Sequence, residues 1–224
     1  MSGIQLVGNA NSSTAAEVEA NTKALRAVIR PDDWGSLGIY SQAGVSGTMA
    51  AGLGANAPIF SFRNGNASNL IIVKRVLFSA GNTSTNFTTA GICTFNLFRC
   101  TSFSASDTGG TQILPGSGGK LRTSMGSSLL TVGNNSDIRI SSTATLTAGT
   151  RTKDTQQLAS IVTSIVTTAG SVIVQPATAL FDARVGEHPL VLVQNEGFVI
   201  EATVPGVGTW TFTVKVDWEE LSAY

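Results

Sequence analysis

Any Ser-His-Asp hydrolase in this chain would have to use His188, the single histidine among its 224 residues. Serines are numerous, so a serine could approach it by chance, but no G-x-S-x-G elbow accompanies it. His188 therefore reads as a turn or rim residue beside Pro189. A glycosidase would need two carboxyl groups roughly 5–10 Å apart across a cleft. Asp182, Glu187, Glu196, Glu201, Asp217, Glu219 and Glu220 are available for that. Clefts that cleave glycans also need aromatic platforms, and the chain has only three Trp and two Tyr. Trp210 and Trp218 fall on an expected core face, and Glu219-Glu220 reads as a solvated strand end.

Other chemistry fares no better. Gly116-Ser117-Gly118-Gly119-Lys120 approximates a phosphate-binding loop, yet Leu121 stands where Mg²⁺ needs a Ser or Thr, and no strand–loop–helix pattern surrounds it. There is no G-x-G-x-x-G. Cys93 and Cys100 sit seven apart in one expected strand, on opposite faces and about 23 Å from each other, far beyond disulfide reach. They read as two half-buried free thiols, which suits a reducing cytoplasm. One histidine and two separated cysteines do not make a zinc site of the usual kinds. The reading assigns no catalytic, cofactor-binding or metal-binding residue, and no cofactor.

Composition excludes further classes. Lys and Arg total 14 and Asp and Glu 14, for zero formal charge, and only 12% of residues are charged. A nucleic-acid partner calls for a basic excess, so none is expected. No run of 18 apolar residues argues for a membrane span, and the start MSGIQLVGNANSS lacks the basic and apolar regions of a secretory signal. The sequons at Asn66 and Asn86 then carry little weight.

The elements that must position everything are strands. Residues 1–12 read as an arm that orders only against something else. Thr14-Ala15-Ala16-Glu17 has capping-box spacing for a short helix that Arg30-Pro31 stops. Its apolar stripe, Val18, Leu25, Val28 and Ile29, is too thin for an isolated helix. It would pack on its own domain, or serve as an inter-subunit bundle or docking tail. Residues 1–30 are thus expected as an anchoring or oligomerising arm and residues 31–224 as a β-domain.

Strands are expected at 37–43, 58–63, 70–80, 92–103, 137–146, 171–174, 190–204 and 209–218, separated by Gly, Asn and Ser. In the last, Trp210, Phe212, Val214, Val216 and Trp218 alternate strictly with Thr211, Thr213, Lys215 and Asp217. With Gly206-Val207-Gly208 as its turn, 189–221 reads as a central hairpin, and Asn195-Glu196-Gly197 as a bulge or bend that re-aims its first strand. Residues 158–166 carry apolar positions at helical spacing, but their Thr, Val and Ile content favours extended structure. The long 104–136 segment is either a partner-reading surface or a covering loop with a small embedded hairpin. The fold expected is mainly β, an antiparallel β-sandwich of jelly-roll-like kind with an N-terminal arm and short helix.

Two segments carry a resemblance. One is Arg30-Pro31-Asp32-Asp33-Trp34-Gly35-Ser36-Leu37-Gly38-Ile39-Tyr40, continuing through Gly47-Thr48-Met49-Ala50-Ala51-Gly52-Leu53 to Ile59-Phe60-Ser61-Phe62-Arg63. The other is Gly186-Glu187-His188-Pro189-Leu190-Val191-Leu192 with Asn195-Glu196-Gly197-Phe198-Val199. Together they resemble virion structural proteins of tailed bacteriophages, over most of residues 30–218 and through structural rather than chemical motifs. The resemblance implies a non-enzymatic capsid decoration (cement) protein, assembled in the bacterial host cytoplasm. Its partners would be the major capsid protein and copies of itself, as dimer or trimer. A tail adaptor or a tail-associated receptor-binding protein that reads a host glycan is the alternative. No functional residues carry over from it.

Overall fold

The computed structural model describes residues 37–115, 119–130, 136–165, 174–183 and 188–222. The expected arm and helix of 1–30 lie outside these, as do residues 32–35, 116–118, Val166, residues 171–173 and Glu187. The described residues contain no α-helix and form two antiparallel sheets packed face to face.

One sheet has the order β1 (Gly38–Val45), β13 (Thr209–Leu221), β4 (Leu70–Asn82), β10 (Val174–Asp182). The short β2 (Met49–Ala50) pairs with β13, and β11 (Leu190–Leu192) with β4. The second sheet runs β6 (Thr111–Ile113), β7 (Asp137–Ile140), β3 (Leu53–Asn64), β12 (Glu196–Val204), β5 (Gly91–Phe103). Along the far edge of β5 lie β8 (Arg151–Lys153) and β9 (Ala159–Ile165). Four pairings are nested: β1 with β13, β3 with β12, β4 with β10 and β5 with β9. The chain thus doubles back on itself, first strand against last, and the doubled ribbon is closed by β13 on β4 and β12 on β5.

The period-two pattern of β13 does what its spacing dictates. Trp210, Phe212, Val214, Val216 and Trp218 are all buried, while the alternate residues through Asp217 are half-buried. Aromatic rings tie the two sheets together: Phe78 lies 4.4 Å from Phe95, and Phe62 meets Trp218 edge-on at 5.9 Å. Fully burying one such side chain contributes about 1.5–3 kcal/mol, so the mid-plane of the sandwich carries the fold.

Several expectations are corrected. Residues 190–204 are not one strand: β11 belongs to the first sheet and β12 to the second. The chain changes sheet at Asn195, whose φ of 64° bends it and whose amide donates to the Asn64 carbonyl at 2.5 Å. The expected bend at 195–197 is therefore present, and it does more than re-aim a strand. For the same reason β12 and β13 are not a hairpin. Their connection crosses the sandwich, held by Gly52 N to Pro205 O (2.9 Å) and Ala51 N to Gly208 O (3.0 Å). Gly208 has φ 149°, and a Cβ there would stand 2.9 Å from the Phe87 ring. The 137–146 strand stops at Ile140. The strand expected over 171–174 begins at Val174 and runs on to Asp182. Pro176 hid it from the sequence, and an edge strand with a register shift between Gln175 and Thr178 accommodates that proline. Residues 159–165 are extended, as their β-branched content suggested.

Candidate functional site

The described carboxylates weighed for a reactive pair are divided between the two sheets. Glu201 lies on the outer face of the second sheet, because Phe198, Ile200 and Ala202 take the inner positions of β12. Asp217 and Glu219 lie on the outer face of the first sheet. Glu220 shares the inner face of β13 with Trp218 at one end of the sandwich. Glu196 accepts the Val193 amide at 3.1 Å, closing its own turn. Asp182 ends β10 opposite Arg75. His188 is exposed, with Nδ1 2.7 Å from the Pro189 carbonyl.

Each described acid with printed partners is held by its own chain. Asp217 accepts from Ser41 Oγ (2.6 Å) and from Arg75 Nε (2.8 Å), with Lys215 at 3.3 Å. Burial alone would raise its pKa. The Ser41 and Arg75 hydrogen bonds and the neighbouring cations outweigh that and hold it below the ordinary carboxylate value.

Glu219-Glu220 is not a solvated end. Glu220 is completely buried and accepts four hydrogen bonds. Its Oε1 takes Ser128 Oγ (2.6 Å) and Trp218 Nε1 (3.1 Å), and its Oε2 takes Leu129 N (2.9 Å) and Asn69 Nδ2 (3.2 Å). That socket pins residues 128–130 against the end of the sandwich and seats Leu130 in the core. Tyr40 stacks on Trp218 beside it, 5.5 Å between rings, and donates to the Gly126 carbonyl at 3.1 Å. Burial, and then the Glu220 charge, push its phenol up to about 12.

A second buried set was missed entirely in the sequence. On the outer face of the second sheet, Arg151 bridges Asp107 through Nη1 and Glu201 through Nη2 (3.3 Å). Lys153 reaches the other Glu201 oxygen at 2.5 Å and lies 4.1 Å over the Phe98 ring. Asp107 and Arg151 are nearly inaccessible, and Asp107 also caps the Gly149 amide (2.8 Å). Arg63, buried close by, donates to Ser106 Oγ, the Phe103 carbonyl and Asn195 Oδ1. Desolvation lowers its pKa, with the Asp137 charge opposing. The set is charge-balanced, two cations to two carboxylates, and it clasps the 104–110 and 147–150 segments to the sheet. The available signals were Glu201 in the middle of an apolar run and Arg151-x-Lys153 on one strand face.

Beneath that clasp, Phe98, Cys100, Phe103 and Val199 form a small second core, whereas Cys93 belongs to the main one. The two cysteines are indeed free and on opposite faces, but both are wholly buried rather than half-buried. Burial pushes Cys93 up to about 11 and Cys100 up to about 12. Neither should react with a chromogenic disulfide reagent at neutral pH in the folded protein, and both should titrate in denaturant. Rapid release from the native protein would refute this placement.

The 104–136 segment is largely fastened where described. β6 pairs with β7, Gly119 and Leu121 pair with β1, and Lys120 Nζ donates to the Met125 carbonyl (3.0 Å). Lys120 thus serves its own turn. Among the described residues no group of three or more His, Cys, Asp or Glu side chains gathers where a metal could be held.

The described residues define a two-sheet β-protein whose buried ions are paired and fasten loops. Compared with known proteins, the chain matches no protein-family model, no curated protein and no solved structure.

Proposed function

We propose that this is a non-enzymatic virion structural protein of a tailed bacteriophage, a capsid decoration protein that binds and reinforces the outer surface of the head. The observation that carries the reading is the commitment of the buried acids to neutralising or hydrogen-bonding partners of the same chain. What remains for function is a stiff surface rich in Ser, Thr and Asn. A rigid tile of this kind suits assembly onto a repeating lattice, where modest affinities per copy add through multivalency.

The strand order supports a jelly roll as the finer description. Sheets ordered β1-β13-β4-β10 and β3-β12-β5-β9 are what a ribbon of four nested hairpin pairs gives when it is rolled into two Greek keys, a design that recurs in viral capsid and lectin domains. The phage resemblance of residues 30–63 and 186–199 points the same way. Partners under this reading are the major capsid protein and further copies of the chain, with residues 1–30 as the anchor. Nucleic acid and membrane have no part in it, and the site of action is the virion.

Deleting residues 1–30 is expected to leave a folded β-domain that no longer sediments with particles. Full retention on purified particles would remove the anchoring role. The second reading, a tail adaptor or receptor-binding protein touching a host glycan, keeps the exposed 121–124 segment as its contact. Copies per particle separate the two: roughly hundreds for a decoration protein, roughly a few dozen at most for a tail part.

A further inference from the structure

The edges of the two sheets are not treated alike. The outer edge of β1 is covered by Gly119 and Leu121, through Ser41 N to Gly119 O (2.7 Å) and Leu121 N to Ile39 O (3.1 Å). The β10 edge carries Pro176 and two register shifts. The second sheet ends on one side at β6, only three residues long, and β8 at its other side is equally short and basic. Short strands, proline, irregularity, charge and covering loops are the devices by which sheets avoid pairing with other chains.

Among the described residues β9 has none of them. It is seven residues long, pairs with β5 from Gly91↔Ile165 to Leu97↔Ala159 without a register shift, and contains only Ala, Ser, Ile, Val and Thr. No charged residue occurs between Asp154 and Asp182. Among the described residues no strand hydrogen-bonds to its other edge. On its outer face Val162 is 61% exposed, diagonal to Ile92 of β5, itself 59% exposed.

We propose that the β9 edge pairs antiparallel with β9 of a second copy of this chain, joining two second sheets into one across a two-fold axis at Val162. A row of free backbone donors and acceptors selects an extended strand as its occupant. A strand without charge meets no like-charge repulsion when it faces itself. Centring on Val162 sets Ser160 against Ser164, Ile161 against Thr163 and Ala159 against Ile165, all compatible pairs. The two Val162 side chains then meet on the axis, flanked by both copies of Ile92, and the apolar pair on each monomer becomes one stripe. Such a contact is isologous and closed, so it stops at the dimer. It does not depend on what the protein decorates.

The test uses the full chain and sedimentation at several concentrations. Wild type is expected to dimerise. Val162→Lys and Val162→Glu, at an exposed position, should match the wild-type melting temperature at concentrations where wild type is monomeric, while their dimer dissociation constants rise at least about tenfold. Mixing the two variants should restore the dimer, because Lys then faces Glu on the axis. A monomeric wild type, a trimer indifferent to both substitutions, or a mixture that stays monomeric would overturn the proposal.

Discussion

Glu220→Gln is expected to lower the melting temperature by roughly 6–12 °C, equivalent to about 3 kcal/mol in a domain of this size. The substitution keeps the shape of the side chain and changes only its hydrogen-bonding sense. Both carboxylate oxygens of Glu220 accept two donors each. An amide nitrogen in either position would point N–H at N–H or O–H. Turned toward Ser128 it could recruit the hydroxyl as acceptor, but the Trp218 indole N–H has no acceptor to offer. At least one buried donor is stranded, and the loss falls on the fastening of 128–130. Amide exchange at Leu129 and Leu130 should therefore accelerate more than exchange in β12. A double-mutant cycle with Ser128→Ala should show coupling of about 1 kcal/mol or more. A melting shift under 2 °C would mean that the socket is structural ornament.

Arg151→Met should cost about 3–5 kcal/mol, because it leaves Asp107 wholly buried and Glu201 with Lys153 alone. The diagnostic is the compensated variant. Arg151→Met combined with Asp107→Leu and Glu201→Met removes the three most buried charges, leaving the partly exposed Lys153 over the Phe98 ring, and chemical denaturation should show most of the loss recovered. Recovery means that the tetrad's charges are offset by one another rather than stabilising in themselves. A triple variant as unstable as the single one would instead show that the clasp holds its loops through polar geometry nothing apolar can replace.

The sequence readings succeeded where a rule is local. Alternation in β13 needs no knowledge of its neighbours, since any sheet with one dry face demands Trp210 to Trp218 at period two. The same holds for the opposite faces of Cys93 and Cys100. Failure came where partners are distant. Glu220 reads as a wet end because three of its four donors, Asn69, Ser128 and Leu129, lie 91 or more residues away. The hairpin reading of 189–221 failed because a glycine turn between two alternating runs looks identical whether the chain pairs with itself or crosses to another sheet. Only the competing partners, β4 for β13 and β5 for β12, decide it. Gly197 carried a hint: a Cβ there would run into the Phe62 carbonyl, the mark of close approach to β3. The Asp107–Arg151–Glu201 set joins a loop and two strands, and no spacing rule reaches across them.

The nested pairing also sets a timetable for synthesis. Gly38 pairs with Glu220, so the first strand of the domain waits for the last. β13 lies between β1 and β4 at the heart of its sheet, and it leaves the ribosome after every other described strand of the domain. Until then β1 lacks its partner strand and one edge of β4 stands open, and the loop closure that finally pairs Tyr40 with Trp218 spans almost the whole domain. Closure of the first sheet therefore waits for β13 and is slow, and nascent chains ending before Thr209 should be held by chaperones or aggregate.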